Sequence, residues 1–154
     1  MRKPATLITG ANGEMGHGLI TTLHEKNYRN IVAMDLNQLD DSITSYCSEE
    51  IIGNILDVDL IDQLNGEYEL DTIYHLAALL STRAEFSPQS AHDVNVGGTM
   101  NLLNLALEQG RSQGKQIKFF FPSSIAVYGL KNLDEKELAG AIKENSYCNP
   151  STMY

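Results

Sequence analysis

The chain has 154 residues, 42% of them hydrophobic, and a formal net charge of −9 at pH 7. This length suffices for one domain with a packed core, and the acidic balance argues against nucleic acid or an anionic membrane surface as a partner. The apolar runs are too short to span a bilayer, so we expect a cytoplasmic protein. Cys47 and Cys148 are far apart in sequence and are expected to be reduced thiols, and no metal site is predicted.

The amino-terminal segment predicts a strand, a glycine-rich turn and a helix, which is the context that a dinucleotide-binding loop requires. An apolar run over residues 5–8 leads to Gly10, Gly13 and Gly16. Gly10 permits a tight turn, Gly13 lets backbone approach a pyrophosphate, and Gly16 lets the helix pack against the strand. The G-x-x-G-x-x-G spacing is not the commoner G-x-G-x-x-G, and three glycines alone can mark an ordinary turn. The helix is indicated by apolar residues at helical spacing, namely Met15, Leu19, Ile20 and Leu23.

The second predicted strand, over residues 30–36, ends in an acidic residue. Asp35 lies about 20 residues beyond the glycine turn, where a carboxylate holds the ribose hydroxyls of adenosine in dinucleotide-binding domains. A carboxylate at this position accepts two hydroxyl hydrogen bonds and repels a 2′-phosphate, so NAD is favoured over NADP. The alternative is that Asp35 only ends a strand or caps a turn.

Strand and helix patterns alternate through the rest of the chain. Further strands are predicted over 50–54, 71–78 and 117–122, shorter helices over 58–64 and 133–142, and a mixture of loop and helix over 37–48. A long helix is predicted to begin at Pro88 with Ser87 as its N-cap. Inside it, Gly97 and Gly98 cost roughly 1 kcal/mol each and indicate close packing or ligand approach. Its predicted apolar face comprises Ala91, Val94, Leu102, Leu103, Ala106 and Leu107.

This alternation predicts an α/β fold with a Rossmann-like, doubly wound parallel sheet. Ligands of such folds bind at the carboxyl ends of the strands, so we expect the site there. His75, at the start of the motif after the fourth strand, is interpreted as structural because the sequence suggests no partner for it. Small or polar groups follow all five predicted strands, at 10–16, Asp35, Asp57, 77–81 and 123–124.

Together these motifs resemble the extended short-chain dehydrogenase/reductase family, also called the NAD-dependent epimerase/dehydratase family. Within it, H-L-A-A-L-L-S and P-S-T-M-Y are similar to the short-chain type of L-threonine 3-dehydrogenase. The resembling segments run nearly the full length of the chain and are T-G-A-N-G-E-M-G (9–16), Asp35, D-V (57–58), H-L-A-A (75–78), N-V-G-G-T (95–99), S-S-I-A-V-Y-G (123–129) and P-S-T-M-Y (150–154).

The resemblance implies roles for individual residues. Tyr154 would be the acid/base, Ser124 would hydrogen-bond the reacting hydroxyl, and Asn95 would organise a water or backbone relay. Ser81 would contact the amino-acid head group of a threonine substrate, and Asp57 would bind the adenine amino group. Taken singly, Ser124 also fits a serine at a strand end whose side chain hydrogen-bonds the backbone, and Asn95 fits a helix residue whose side chain hydrogen-bonds a loop. The residues expected to bind NAD are Gly10, Asn12, Gly13, Glu14, Met15, Gly16, Asp35, Asp57, Val58, Leu76, Ala77 and Ala78.

The resemblance also implies a longer parent enzyme, because the family pattern continues with a lysine four residues after the catalytic tyrosine and with a substrate-binding portion. We expect residues 1–154 to be its NAD-binding domain, inactive in isolation, and the parent to be a homodimer that acts on a small molecule. The implied reaction is oxidation of L-threonine at its hydroxyl-bearing carbon. The alternatives are a nucleotide-sugar epimerase or dehydratase, and a non-catalytic NAD-binding module.

Overall fold

The computed structural model describes residues 1–150, and its five strands form one parallel sheet in the order β3-β2-β1-β4-β5. The strands are β1 Lys3–Thr9, β2 Ile31–Asp35, β3 Glu49–Ile52, β4 Tyr68–His75 and β5 Lys118–Phe120. The helices are α1 Glu14–Glu25, α2 Asp41–Thr44, α3 Val58–Glu67, α4 Ser81–Phe86, α5 Pro88–His92, α6 Thr99–Gln113 and α7 Leu133–Ala139, with a π-helical segment Asp93–Gly98 and a 3₁₀ turn Ile125–Val127. The predicted α/β class is confirmed.

Helices cover both faces of the sheet, so neighbouring residues of a strand enter different hydrophobic layers. Leu7 of β1 packs in a layer with Leu102 of α6, whereas Ile8 packs in the other layer with Ile20 of α1. Both β1 residues are fully buried. Burial on both faces explains why β2 appears in the sequence as a continuous apolar run rather than as an alternating pattern.

Strand β4 begins and ends three residues earlier than the predicted 71–78. Its first residues pair with β1 across an irregularity in the register after Ala5. The buried Gln109 side chain bonds the backbone there: its amide nitrogen donates to Tyr68 O at 2.9 Å, and its oxygen accepts from Leu70 N at 3.0 Å. Residues 76–78 consequently lie beyond the sheet edge, where they are free to form part of a site.

The long helix predicted from Pro88 is a continuous helical run made of α5, the π-helical segment and α6. Pro88 occupies the first helical position as predicted, but the Ser87 hydroxyl lies 2.8 Å from Ser90 Oγ and caps no backbone amide. The predicted close packing is confirmed at Gly98, where any Cβ would overlap the side chain of Ile55. No helix in the described part of the chain is long and apolar enough to cross a membrane.

The predicted apolar face of this helix is confirmed at Leu102 and Ala106 but is wrong at Leu103 and Leu107. Leu103 and Leu107 are 40% and 51% exposed, whereas Leu105 and Gln109 are buried. The buried stripe follows Leu102, Leu105 and Gln109, at spacings of one helical turn. A glutamine enters this stripe because the backbone of early β4 needs its donor and acceptor, a requirement that hydrophobic periodicity does not reveal.

Candidate functional site

A cleft of about 470 Å³ opens where the carboxyl ends of β1 to β4 meet. Pockets of about 300–1,000 Å³ are typical of small-molecule sites. The walls come from Gly10 with residues 13–16 after β1, residues 34–37 at the end of β2, 53–55 after β3, and 76–80 after β4, together with Arg83 and Val94. The cleft therefore crosses the sheet edge at the position predicted from the strand-end motifs.

The turn after β1 lies against the segment after β4, and glycine is required at this contact. Gly10 has φ +67°, and a Cβ there would lie 2.6 Å from Ala77 N and 2.7 Å from the carbonyl carbon of Leu76. At Gly16 a Cβ would overlap Ala11 O, so a side chain would force α1 away from the turn. The two glycines let three backbone segments converge beside the cleft.

The amino terminus of α1 lies on the wall of the cleft, and the amides of its first three residues have no hydrogen-bond acceptor in the part of the chain that the structure describes. Its N-cap, Gly13, offers no side chain, and the first amide to bond within the helix is that of His17, which donates to Gly13 O at 2.9 Å. The amides of residues 14–16 therefore precede the helical ladder, and an anion such as a diphosphate is stabilised at such a position. Met15, predicted on the apolar face of α1, is instead 69% exposed and lines the cleft.

Asp35 stands at the β2 end of the cleft with its carboxylate held in place. One oxygen accepts from Asn12 N and the other from Asn37 N, both at 3.0 Å. A carboxylate has about four acceptor positions, so two remain for hydroxyl donors of a ligand. The Asn12 side chain instead bonds the loop after β2, since its oxygen accepts from Asp40 N at 2.9 Å and its nitrogen donates to Gln38 O.

The predicted adenine-binding pair lies beside the cleft rather than on its walls. Asp57 caps α3 by accepting a hydrogen bond from Leu60 N at 3.1 Å, and Val58 is 57% exposed. Residues 53–55 line the cleft in this region. Residues 53–55 could have been predicted from the sequence, because they directly follow a strand. No pattern in the sequence indicates that Arg83 lines the cleft.

Of the residues assigned to catalysis and substrate binding, the three that the structure describes, Ser81, Asn95 and Ser124, do not line the cleft. Ser124 caps the 3₁₀ turn, with its oxygen accepting from Ala126 N at 3.1 Å, and its hydroxyl has no acceptor among residues 1–150. Ser81 is exposed at the start of α4, between the cleft residues Leu80 and Arg83. Tyr154 lies outside the described residues.

Asn95 and His75 support the β4 side of the cleft from behind. The Asn95 oxygen accepts from Leu79 N at 2.7 Å and its nitrogen donates to Leu79 O at 2.9 Å, so both backbone groups of a cleft residue are fixed. His75 is fully buried between the hydroxyls of Thr9 and Thr99, at 2.8 and 3.0 Å. Burial lowers its pKa to about 4, so the ring is neutral at pH 7. This agrees with a structural role for His75.

Comparison with known proteins connects this architecture to a group of enzymes. An uncharacterized epimerase/dehydratase of Staphylococcus saprophyticus is 35% identical over 126 residues, which are 80% of this chain and 37% of that protein. A monomeric L-threonine 3-dehydrogenase from a metagenome is 34% identical, with a TM-score of 0.79 over 97% of this chain and 44% of its own. A GalE-like L-threonine dehydrogenase from Cupriavidus necator, in its holo form, is 30% identical, with a TM-score of 0.78 over 98% of this chain and 46% of its own.

The chain thus spans less than half the length of these proteins. A family model described as GDP-mannose 4,6 dehydratase matches residues 7–154, which is nearly the whole chain. The family match agrees with the epimerase/dehydratase name of the staphylococcal relative, and the motif resemblance found in the sequence is confirmed. The chain belongs to the GDP-mannose 4,6 dehydratase family, a family of epimerases and dehydratases.

Proposed function

We propose that this chain is the NAD-binding domain of an NAD-dependent oxidoreductase. One observation carries the proposal: the glycine turn, the uncapped start of α1 and the oriented Asp35 carboxylate line one cleft. An adenine dinucleotide needs groups for a ribose and for a diphosphate. Asp35 at the end of β2 would bind the ribose, and the glycine turn with the start of α1, both after β1, would bind the diphosphate.

The residues of the cleft divide the ligand into parts. Asp35 would accept hydrogen bonds from the adenosine ribose, and the amides at 14–16 would hold the diphosphate. Residues 76–80 would then flank the nicotinamide half, because β4 lies on the opposite side of β1 from β2. When bound, the nicotinamide ring supplies the electron acceptor for oxidation of an alcohol, while the protein binds and orients it.

We propose NAD rather than NADP because Asp35 is both charged and fixed. Near a protein surface, a carboxylate about 4 Å from a 2′-phosphate repels it with a Coulomb energy of roughly 4 kcal/mol per pair of unit charges, before screening by salt. Its two backbone donors hold it toward the ribose position, so turning away would sacrifice hydrogen bonds from Asn12 N and Asn37 N. Among the walls of this cleft, Arg83 is the one cationic side chain of the described residues.

For the whole protein we propose oxidation of L-threonine at its hydroxyl-bearing carbon. The names and structural similarity of two L-threonine dehydrogenases support this substrate. Tyr154 would take the proton from the substrate hydroxyl, and Ser124 would hydrogen-bond the same group. Asn95 would position the cleft wall through Leu79, and Ser81 would contact the amino-acid head group.

A nucleotide-sugar epimerase or dehydratase is the second candidate, supported by the family description and by the name of the staphylococcal relative. The two activities differ in what happens to the reduced coenzyme. With the whole protein, a threonine dehydrogenase accumulates NADH when L-threonine is supplied. An epimerase or dehydratase converts a nucleotide sugar without accumulating NADH, and that outcome would replace the first proposal by the second.

We also propose that the whole protein forms a homodimer through the outer face of α6 and the segment before it. Four apolar side chains at helical spacing are 40–51% exposed there: Val96, Met100, Leu103 and Leu107. Such a stripe is typical of a helix that packs against a partner. Sedimentation of the whole protein and of Met100→Glu tests this, and a wild-type monomer would contradict it.

Calorimetric titration of this chain with NAD and NADP tests the coenzyme proposal. We expect NAD to bind at least about tenfold more tightly than NADP. Asp35→Asn removes the charge with little change in shape and should narrow that ratio. Asp41→Asn is the matched control, because it removes an exposed charge outside the cleft walls and should leave the ratio unchanged. Equal affinities of the wild-type chain for both coenzymes would refute the role of Asp35.

A further inference from the structure

A chain of hydrogen bonds runs behind the cleft from the end of β1 to the segment after β4. Thr9 Oγ1 lies 2.8 Å from His75 Nδ1, and His75 Nε2 lies 3.0 Å from Thr99 Oγ1. Thr99 Oγ1 in turn donates to Asn95 O at 2.6 Å. Asn95 then bonds both backbone groups of Leu79. The chain thus connects the residue before Gly10 with a wall of the cleft.

The direction of each bond follows from the number of protons available. The single hydroxyl proton of Thr99 is used on Asn95 O, so Thr99 Oγ1 must accept from His75 Nε2. A neutral imidazole with its proton on Nε2 has a lone pair on Nδ1, and that lone pair must accept the hydroxyl proton of Thr9. Every donor is matched to an acceptor in this arrangement alone, because moving the imidazole proton to Nδ1 would leave two lone pairs facing each other.

We infer that Thr99 and His75 are positioning residues that hold the β4 side of the coenzyme cleft in place. They do so through a chain of hydrogen bonds in which every proton is donated in the direction from Thr9 to Asn95, with His75 protonated on Nε2. The inference rests on the proposed NAD binding for its functional part. Thr9 and His75 are fully buried, so water does not compete for their bonds. Residues 76–80 would flank the nicotinamide half of NAD, whereas ADP would reach only the ends of β1, β2 and β3. We therefore expect this chain of hydrogen bonds to affect the affinity for NAD and not the affinity for ADP.

The tautomer is measured directly on the wild-type chain by the ¹⁵N shifts of the His75 ring. We expect Nε2 to show the shift of a protonated nitrogen and Nδ1 that of an unprotonated acceptor. A proton on Nδ1 would overturn the inference. This measurement involves no coenzyme, so it judges the chain of bonds even if wild-type protein fails to bind NAD, a result that would refute the proposed function instead.

Substitution of Thr99 tests the functional part. Thr99→Val keeps the side-chain shape and removes the hydroxyl, and we expect NAD to bind about tenfold more weakly, the worth of one hydrogen bond, while ADP affinity stays within about twofold. Thr99→Ser retains the hydroxyl and should restore NAD affinity. Unchanged NAD binding in Thr99→Val, an equal loss for ADP, or failure of the serine variant to restore binding would each overturn the positioning role.

Discussion

Gly10→Ala should destabilise the chain strongly because two costs coincide at this position. The backbone has φ +67°, where a residue with a Cβ loses about 1–2 kcal/mol. The new methyl group would also lie 2.6–2.8 Å from backbone atoms of residues 76–77, and such overpacking costs about 1–3 kcal/mol. We therefore expect the free energy of unfolding to fall by about 2–5 kcal/mol, a large share of the about 5–15 kcal/mol of a typical domain.

Two other glycines separate these costs in urea denaturation followed by circular dichroism. Gly114 has φ +65° with open space around it, so Gly114→Ala should lose only the conformational part, about 1–2 kcal/mol. Gly18 lies within α1 with no atom near its Cβ position, and Gly18→Ala should stabilise the helix by about 0.5–1 kcal/mol. If Gly10→Ala lowers the free energy of unfolding by no more than Gly114→Ala does, the glycine turn and the segment after β4 are not in the close contact that the 2.6 Å distance indicates.

Three further predictions concern buried groups. Gln109→Leu leaves backbone groups of early β4 unpaired and should lower the unfolding free energy by about 2–4 kcal/mol in urea, whereas Leu107→Gln on the exposed side should change it by less than about 0.5 kcal/mol. Burial lowers the pKa of His75 from 6.5 to about 4, so as the pH falls the unfolded chain takes up the His75 proton before the folded chain does. The free energy of unfolding should therefore fall by up to about 3 kcal/mol between these two pH values. A His75→Asn variant with the same pH dependence would contradict this. Burial raises the pKa of the Cys47 thiol to about 11, so iodoacetamide at mildly alkaline pH should alkylate the exposed Cys148 first, as peptide mass mapping would show; faster reaction at Cys47 would contradict its burial.

The features that sequence reasoning predicted are those that depend on local chain geometry. The turn at Gly10 requires a positive φ and a close backbone approach, and glycine spacing reports both. Asp35 was recognisable because it follows a continuous apolar strand at a fixed distance from that turn. The parallel arrangement of the strands followed from the alternation of strands and helices.

The features that sequence reasoning missed depend on long-range hydrogen bonds. Gln109 is buried because the irregular pairing of β1 and β4 leaves backbone groups that need its amide, although it lies about 40 residues away in sequence. His75 seemed to have no partner because Thr9 and Thr99 reach it only in the folded chain. Arg83 lines the cleft through the path of α4, which no local pattern determines.

The proposed location of the coenzyme is tested most directly by mapping backbone amide shifts of the ¹⁵N-labelled chain during titration with NAD. We predict that the largest changes occur at Gly13, Glu14, Met15 and Asp35, with smaller changes along residues 76–80. A second, polar pocket between α3 and α6 is lined by residues that include Asp62 and Asn104, and it serves as an internal comparison. Changes confined to that pocket, or no saturable change at the glycine turn, would contradict the central claim.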